Sequence, residues 1–366
     1  MASSLVITEI KVKPDIPIGR NLPDEATLLP NVETKVWDST KPNECMDDTI
    51  PQSNGSLAPV GFLLDQKNKV VAKIKVTGSV IYPQDWQGKL SPVLVGYLDD
   101  DQIPIISAKI GDVDLPPRNA PSPPMNFSVA QMDFPVPLDP NLASQSPVPY
   151  RIAGDFRWKL TCPDQQFPAI VSTVQTRLEF YWLKTYAASG PLKVLSTLSE
   201  TMTDMQGKYP VSLLRYFLPS IADLKLGDNL TTQPTAWWAK YVITQKLSGV
   251  KYNAIDGRAG YGVGCSGGSF DWRAWCLRVN PYVNSFDLAA LIQAAMSLIS
   301  TRNFFSDDFQ LRWICHTPDG FLKPSMPFGW AATANPDTSR GVNNPFFLGI
   351  TCKQLPTYVC FCSTKS

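Results

Sequence analysis

Val70-Val71-Ala72-Lys73-Ile74-Lys75-Val76-Thr77 sets apolar side chains at 70, 72, 74 and 76 against mostly polar ones between them. That period of two is the alternation of a strand with one face in a core and the other in water. The pattern recurs along the first half of the chain. Ile152, Phe156, Trp158 and Leu160 alternate with Asp155, Arg157 and Lys159, while Val174, Thr176, Leu178, Phe180 and Trp182 oppose Gln175, Arg177 and Glu179. Shorter runs of the same kind lie at 5–12, 59–64, 92–98 and 103–110. Between them fall turns rich in Pro, Asn, Gly and Asp, and two proline-rich stretches, 116–124 and 135–149, too rigid and too poor in N–H donors for central strands. Seven or so short strands punctuated in this way predict an antiparallel β-sandwich over residues 1–185.

Near residue 185 the spacing of apolar residues changes to that of helices. Residues 192–202 and 211–221 read as short amphipathic helices, and Pro234 opens another carrying Trp237, Trp238, Tyr241, Val242 and Gln245. The longest helical signal follows Asn284-Ser285, where Phe286, Leu288, Ala289, Leu291, Ile292, Ala295, Met296, Leu298 and Ile299 are interrupted by only Gln293 and Ser297. Such a helix is expected to be buried on most sides. The change of period predicts a second domain of mixed helix and strand over 186–366.

Composition supports this outline. A chain of 366 residues is long enough for two domains. Hydrophobic residues at 44% and ten Trp against 18% charged residues exclude a disordered chain, and 33 prolines disfavour a helical bundle. A net charge of +1 lacks the basic surplus that a nucleic-acid binder uses to displace counterions. No apolar stretch approaches the roughly 20 residues of a membrane-spanning helix, and the first residues, Met1-Ala2-Ser3-Ser4-Leu5-Val6-Ile7-Thr8-Glu9, have no charged head and apolar middle. The expectation is a cytoplasmic protein without nucleic-acid or membrane partners. The eight cysteines (45, 162, 265, 276, 315, 352, 360 and 362) are spread thinly, unlike a small secreted disulfide framework, and are expected to be reduced and mostly buried.

Histidine occurs once, at His316, which excludes a zinc site made of several histidines. Neither a Walker phosphate loop nor a dinucleotide fingerprint is present, so no cofactor and no metal is expected. The glycine-rich run 260–268 has no helix pattern directly after it and reads as a loop. Cys360-Phe361-Cys362 with Cys352 supplies three thiols; a metal site would require a fourth ligand, and the plainer reading is tail cysteines without function.

Ser269-Phe270-Asp271-Trp272-Arg273-Ala274-Trp275, followed by Val283-Asn284-Ser285-Phe286-Asp287-Leu288-Ala289-Ala290, resembles the heart of transglutaminase-like cysteine enzymes in the papain-like superfamily, the fungal members most of all. Lys251-Tyr252-Asn253 to Gly257 and Gly341-Val342-Asn343-Asn344-Pro345-Phe346 are similar to motifs of the same group. The resemblance covers roughly residues 150–347. It implies a papain-like second domain of acyl-transfer ancestry, with a nucleophilic cysteine at the start of the central helix. There the positive end of the helix dipole would lower a thiol pKa, and free N–H groups could face an oxyanion. Here that position is Ser285, a weak nucleophile without an adjacent base. The plainer alternative is that Asn284 or Ser285 caps the helix, with Asp287 in its first turn.

Related enzymes place a histidine after the Asn-Asn-Pro-Phe motif, and this chain has none there. His316, before the motif, would have to act as base, with Asp319 or Asp337 orienting it. The resemblance further implies Trp272, Asn284, Asn343 and Asn344 as substrate-binding residues. Two functional readings follow: a catalytically impaired relative that binds a peptide or protein in its cleft, and an active acyl-transfer enzyme using Ser285 and His316. A purely structural sandwich protein would leave the buried helix and the Asn-Asn-Pro-Phe motif without a reason.

Overall fold

The computed structural model describes residues 3–19, 31–40, 59–64, 71–72, 74–98, 104–116, 123–130, 132–133, 148–165, 167–184, 209–221, 223–224, 233–253, 260–261, 263–264, 267–268, 270–299, 311–316 and 359–364. The chain divides into two compact units, one of residues 1–20, 24–187 and 207–234, the other of 21–23, 188–206 and 235–366. Strands dominate, with a few helices. No described helix is long and apolar enough to cross a membrane.

The first unit contains β1 (Ser4–Val12), β2 (Ile18–Gly19), β3 (Thr34–Asp38), β4 (Val60–Leu63), β5 (Val71–Ala72), β6 (Ile74–Ile81), β7 (Gly88–Leu90), β8 (Val93–Leu98), β9 (Pro104–Lys109), β10 (Val113–Leu115), β11 (Met125–Val129), β12 (Met132–Asp133), β13 (Tyr150–Thr161), β14 (Ile170–Val171), β15 (Thr176–Leu183) and β16 (Tyr209–Pro210). Four strands pair in the order β11-β6-β1-β3, and an eight-stranded sheet runs β4-β15-β13-β8-β9-β12-β5 with β14 on β13. One ribbon joins the two sheets. β6 pairs antiparallel with β11, from Met125 opposite Val80 to Val129 opposite Val76, and β5 with β12, Met132 opposite Ala72. The registers of the two pairings differ by one residue, and each pairing belongs to a different sheet.

The interior follows the alternation read from the sequence. Tyr150, Ile152, Phe156, Trp158 and Leu160 on β13 are all buried, as are Ile74, Val76 and Val80 on β6. On β1 the buried set is Leu5, Ile7, Ile10 and Val12, so the period of two slips after Ile7. A bulge between Ile7 and Glu9 in the pairing with β6 takes up the extra residue and returns the apolar side chains to the core. Gly78 sits where β1 and β11 close on β6: a Cβ there would lie 2.3 Å from the Val6 carbonyl oxygen and 2.7 Å from the Phe127 ring. Only glycine fits that approach.

Two expectations are corrected. The sheet is not purely antiparallel, because β4 pairs in parallel with β15, Phe180 opposite Val60 to Leu183 opposite Leu63. The run at 211–221 is not amphipathic. Helix α1 (Val211–Phe217) has all seven residues buried and stops two residues before Pro219, as a following proline requires. β15 is likewise buried on both faces, its polar-side residues Glu179 and Tyr181 included. Arg215 of α1 reaches Glu179 through two hydrogen bonds, Nε to Oε1 and Nη2 to Oε2, both 2.8 Å. The Tyr181 hydroxyl donates to Glu179 Oε1. The predicted helix at 192–202 lies outside the described residues.

On β1, Glu9 pairs with Lys11 at 2.8 Å and with Lys35 of the edge strand β3 at 3.2 Å. The Lys11 hydrogen bond holds the Glu9 carboxyl below its usual range against the opposing effect of burial, with a lesser contribution from Lys35. Because the folded pKa is lowered, the pair stabilises the fold above the unfolded value, and that contribution is lost as pH falls through the folded one. The expected outcome is a loss on acidification from pH 6 that is about 0.5 kcal/mol larger for the native chain than for Glu9→Gln, and smaller in high salt. Denaturant titrations across pH check this.

The second unit contains α2 (Pro234–Tyr241), continued by a π-helical turn (Val242–Lys246), then β17 (Lys251–Tyr252), β18 (Val263–Gly264), β19 (Gly267–Gly268), α3 (Trp272–Cys276), β20 (Tyr282–Val283), α4 (Ser285–Ser297), β21 (Leu311–His316) and β22 (Val359–Thr364). As its pattern predicts, α4 is largely buried. Trp238 of α2 is buried and donates from Nε1 to the Ala295 carbonyl at 3.1 Å. β18 and β19 form a small hairpin, so the glycine-rich run turns back on itself beside α4.

Candidate functional site

The start of α4 is built by two side chains. Asn284, in an extended conformation, caps the helix: its Oδ1 accepts from Phe286 N at 2.9 Å and Asp287 N at 3.0 Å. Asp287 reaches back, and its Oδ2 accepts from Asn284 N at 3.1 Å, closing a reciprocal capping box. Of the two capping residues considered from sequence, the cap is Asn284.

Asp287 does more than close the box. It is 0% exposed, and its carboxylate also accepts from Gly260 N at 2.8 Å and Tyr261 N at 3.3 Å. One side chain thereby holds a distant loop against the helix start. Burial pushes the Asp287 carboxyl above its usual range, opposed by the N–H donors of Gly260, Asn284 and Tyr261. Gly260 is required by space, since a Cβ would lie 2.7 Å from both Asn280 Nδ2 and the Tyr282 carbonyl oxygen. The Tyr261 hydroxyl donates to the Asn280 carbonyl, and Asn253 N donates to Val283 O at 2.7 Å beside the parallel pairing of β17 with β20. Helix start, glycine loop and the segment 280–283 are therefore one hydrogen-bonded unit.

Beneath them, Tyr261 packs on Phe270 at 5.5 Å between ring centres and edge-on to Trp275 at 5.3 Å. Trp272 is 1% exposed and stands beside Phe270, so the residue expected to line a substrate cleft forms part of this aromatic core. Asn284, also expected to contact substrate, is 3% exposed and occupied by the cap. The linking segment between α3 and α4 is open: Leu277, Val279 and Tyr282 are exposed, Val279 to 69%. Arg278 between them takes a positive φ of 53° and lays its guanidinium 4.0 Å from the centre of the Trp275 ring. Gln293, within α4, is buried, and among the described residues neither of its amide atoms has a hydrogen-bond partner.

Of the expected catalytic residues, Ser285 is the first residue of α4 and His316 the last of β21, opposite Val359. The side chains of Ser285 and His316, and all of Asp319, Asp337, Asn343 and Asn344, lie outside the described residues. Sequence reasoning missed the hold of Asp287 on the loop; the glycine at 260, 27 residues away, was the available signal. Among the described residues no three His, Cys, Asp or Glu side chains gather as metal ligands. No protein-family model matches the chain, and no curated protein matches it.

Proposed function

We propose that the chain is a catalytically impaired relative of transglutaminase-like cysteine enzymes that binds a peptide or protein with its second domain, a papain-like domain following a β-sandwich. The observation that carries this reading is the commitment of the first-turn donors of α4. The N–H groups of Phe286 and Asp287 both go to Asn284 Oδ1, so a developing oxyanion at the helix start would find them occupied. The residue at the nucleophile position is a serine, whose hydroxyl requires a base. The nearest described carboxylate in sequence, Asp287, already accepts three backbone N–H groups and is poorly suited to that task. Exposed Leu277, Val279 and Tyr282, on the segment leading into the helix, offer apolar contacts for a peptide.

The expected result is no turnover of glutamine-amide or ester substrates above blank. In the same preparation, a random peptide library panned on the chain should enrich sequences whose binding is lost in Val279→Asp and Tyr282→Asp. Turnover abolished by both Ser285→Ala and His316→Ala would overturn the reading in favour of an acyl-transfer enzyme with a Ser–His pair. Since general-base assistance supplies about a hundredfold or more, such a loss would be plain in a rate assay.

A further inference from the structure

We propose that Cys315 and Cys360 are a redox pair that closes into a cross-strand disulfide. β21 and β22 pair antiparallel, with Trp313 opposite Cys362, Cys315 opposite Cys360 and His316 opposite Val359. Residues directly opposed in an antiparallel ladder have Cα atoms about 4.5 or 5.5 Å apart, depending on the pair type. Disulfides span Cα separations of about 4.4–6.8 Å, so a directly opposed pair lies within their reach.

The register also discriminates between two neighbouring thiols. Cys360 and Cys362 lie two residues apart on β22, and in the sequence nothing separates them as partners of Cys315. Cys362, however, is diagonal to Cys315, at about 7–8 Å between Cα atoms, beyond the usual reach of a disulfide. Of the two other described cysteines, Cys162 is buried, and burial pushes the Cys276 thiol up to about 12.

The oxidant is a low-molecular-weight disulfide. One protein thiolate attacks it, forming a mixed disulfide and releasing one small thiol. The opposed thiolate then attacks the protein sulfur of that mixed disulfide, the Cys315–Cys360 bond forms, and the second small thiol departs. The protein loses two electrons and two protons, and the small disulfide gains both. The bond ties β22 to β21, both of which run beside α4, and it anchors the backbone next to the only histidine of the chain.

The test uses the full chain, reduced and then equilibrated with oxidised and reduced glutathione over a range of ratios. Free thiols are alkylated, the chain is digested with chymotrypsin, which cuts after Phe361 and separates Cys360 from Cys362, and fragments are identified by mass spectrometry without reductant. A fragment pair joining Cys315 to Cys360 is expected, lost on reduction, absent in Cys360→Ser and retained in Cys362→Ser. Alkylation of both Cys315 and Cys360 at every ratio overturns the proposal. So does a Cys315 bond to Cys362 or Cys352 in its place, and the unsubstituted chain decides this even where a variant folds poorly.

Discussion

Asp287→Ala is expected to destabilise the second unit by about 3–5 kcal/mol, read as a shift in a denaturant unfolding curve. The carboxylate is buried and accepts from the N–H groups of Gly260, Tyr261 and Asn284, and alanine leaves all three without that acceptor. An unsatisfied buried donor costs about 1–3 kcal/mol, with partial relaxation keeping the total below the sum. Asp287→Asn is expected to cost less, about 1–2 kcal/mol, because its amide oxygen can still accept from Gly260 and Asn284 while its NH₂ faces Tyr261 N.

The pH dependence separates the charge from the hydrogen bonds. The folded pKa of Asp287 is raised, so its contribution is fully present below the unfolded carboxylate value and is lost as pH rises through the folded one. Asp287→Asn should remove that slope. An alanine variant within about 1 kcal/mol of the native chain would show that the loop does not depend on this side chain.

Arg215→Met is expected to cost about 3–5 kcal/mol in the first unit, because it strands Glu179 as a buried charge. Arg215 is 5% exposed and Glu179 1%. Their two 2.8 Å hydrogen bonds join α1 to β15. Burial and the neighbouring Glu179 charge hold the Tyr181 hydroxyl far above its usual pKa, so at neutral pH it remains a donor to Glu179. A variant with Glu179→Leu, Tyr181→Phe and Arg215→Met together should recover most of the loss, since replacing a whole buried ion pair by packed apolar groups is often neutral. The deviation from additivity in urea titrations measures the network. A single-variant cost below about 1 kcal/mol would mean that the pair is wetter than the structure has it.

The strands were legible because their signal is local. At 74–81 and 150–161 the alternation of side chains along the chain is the alternation across the sheet. α4 was legible for the same reason, since Asn284, Asp287 and the apolar spacing behind them lie within a few turns of one another. Where the readings departed, the partner was remote. Residues 211–217 looked two-faced because Arg215 is charged, yet Glu179, 36 residues earlier, takes that charge into the interior.

By itself, then, the sequence determined the β-rich first half, the turn-rich connections and a buried helix begun by Asn284 and Asp287, because periodicity and capping act over a few residues. Tertiary structure alone decided four things: the division of the β5–β6 and β11–β12 pairings between two sheets, the parallel docking of β4 on β15, the hold of Asp287 on Gly260 and Tyr261, and the choice of Cys360 over Cys362 opposite Cys315. Each depends on register or on closing a loop of tens of residues. A single chain read in order carries no local signal for which distant backbone will supply the matching hydrogen bonds.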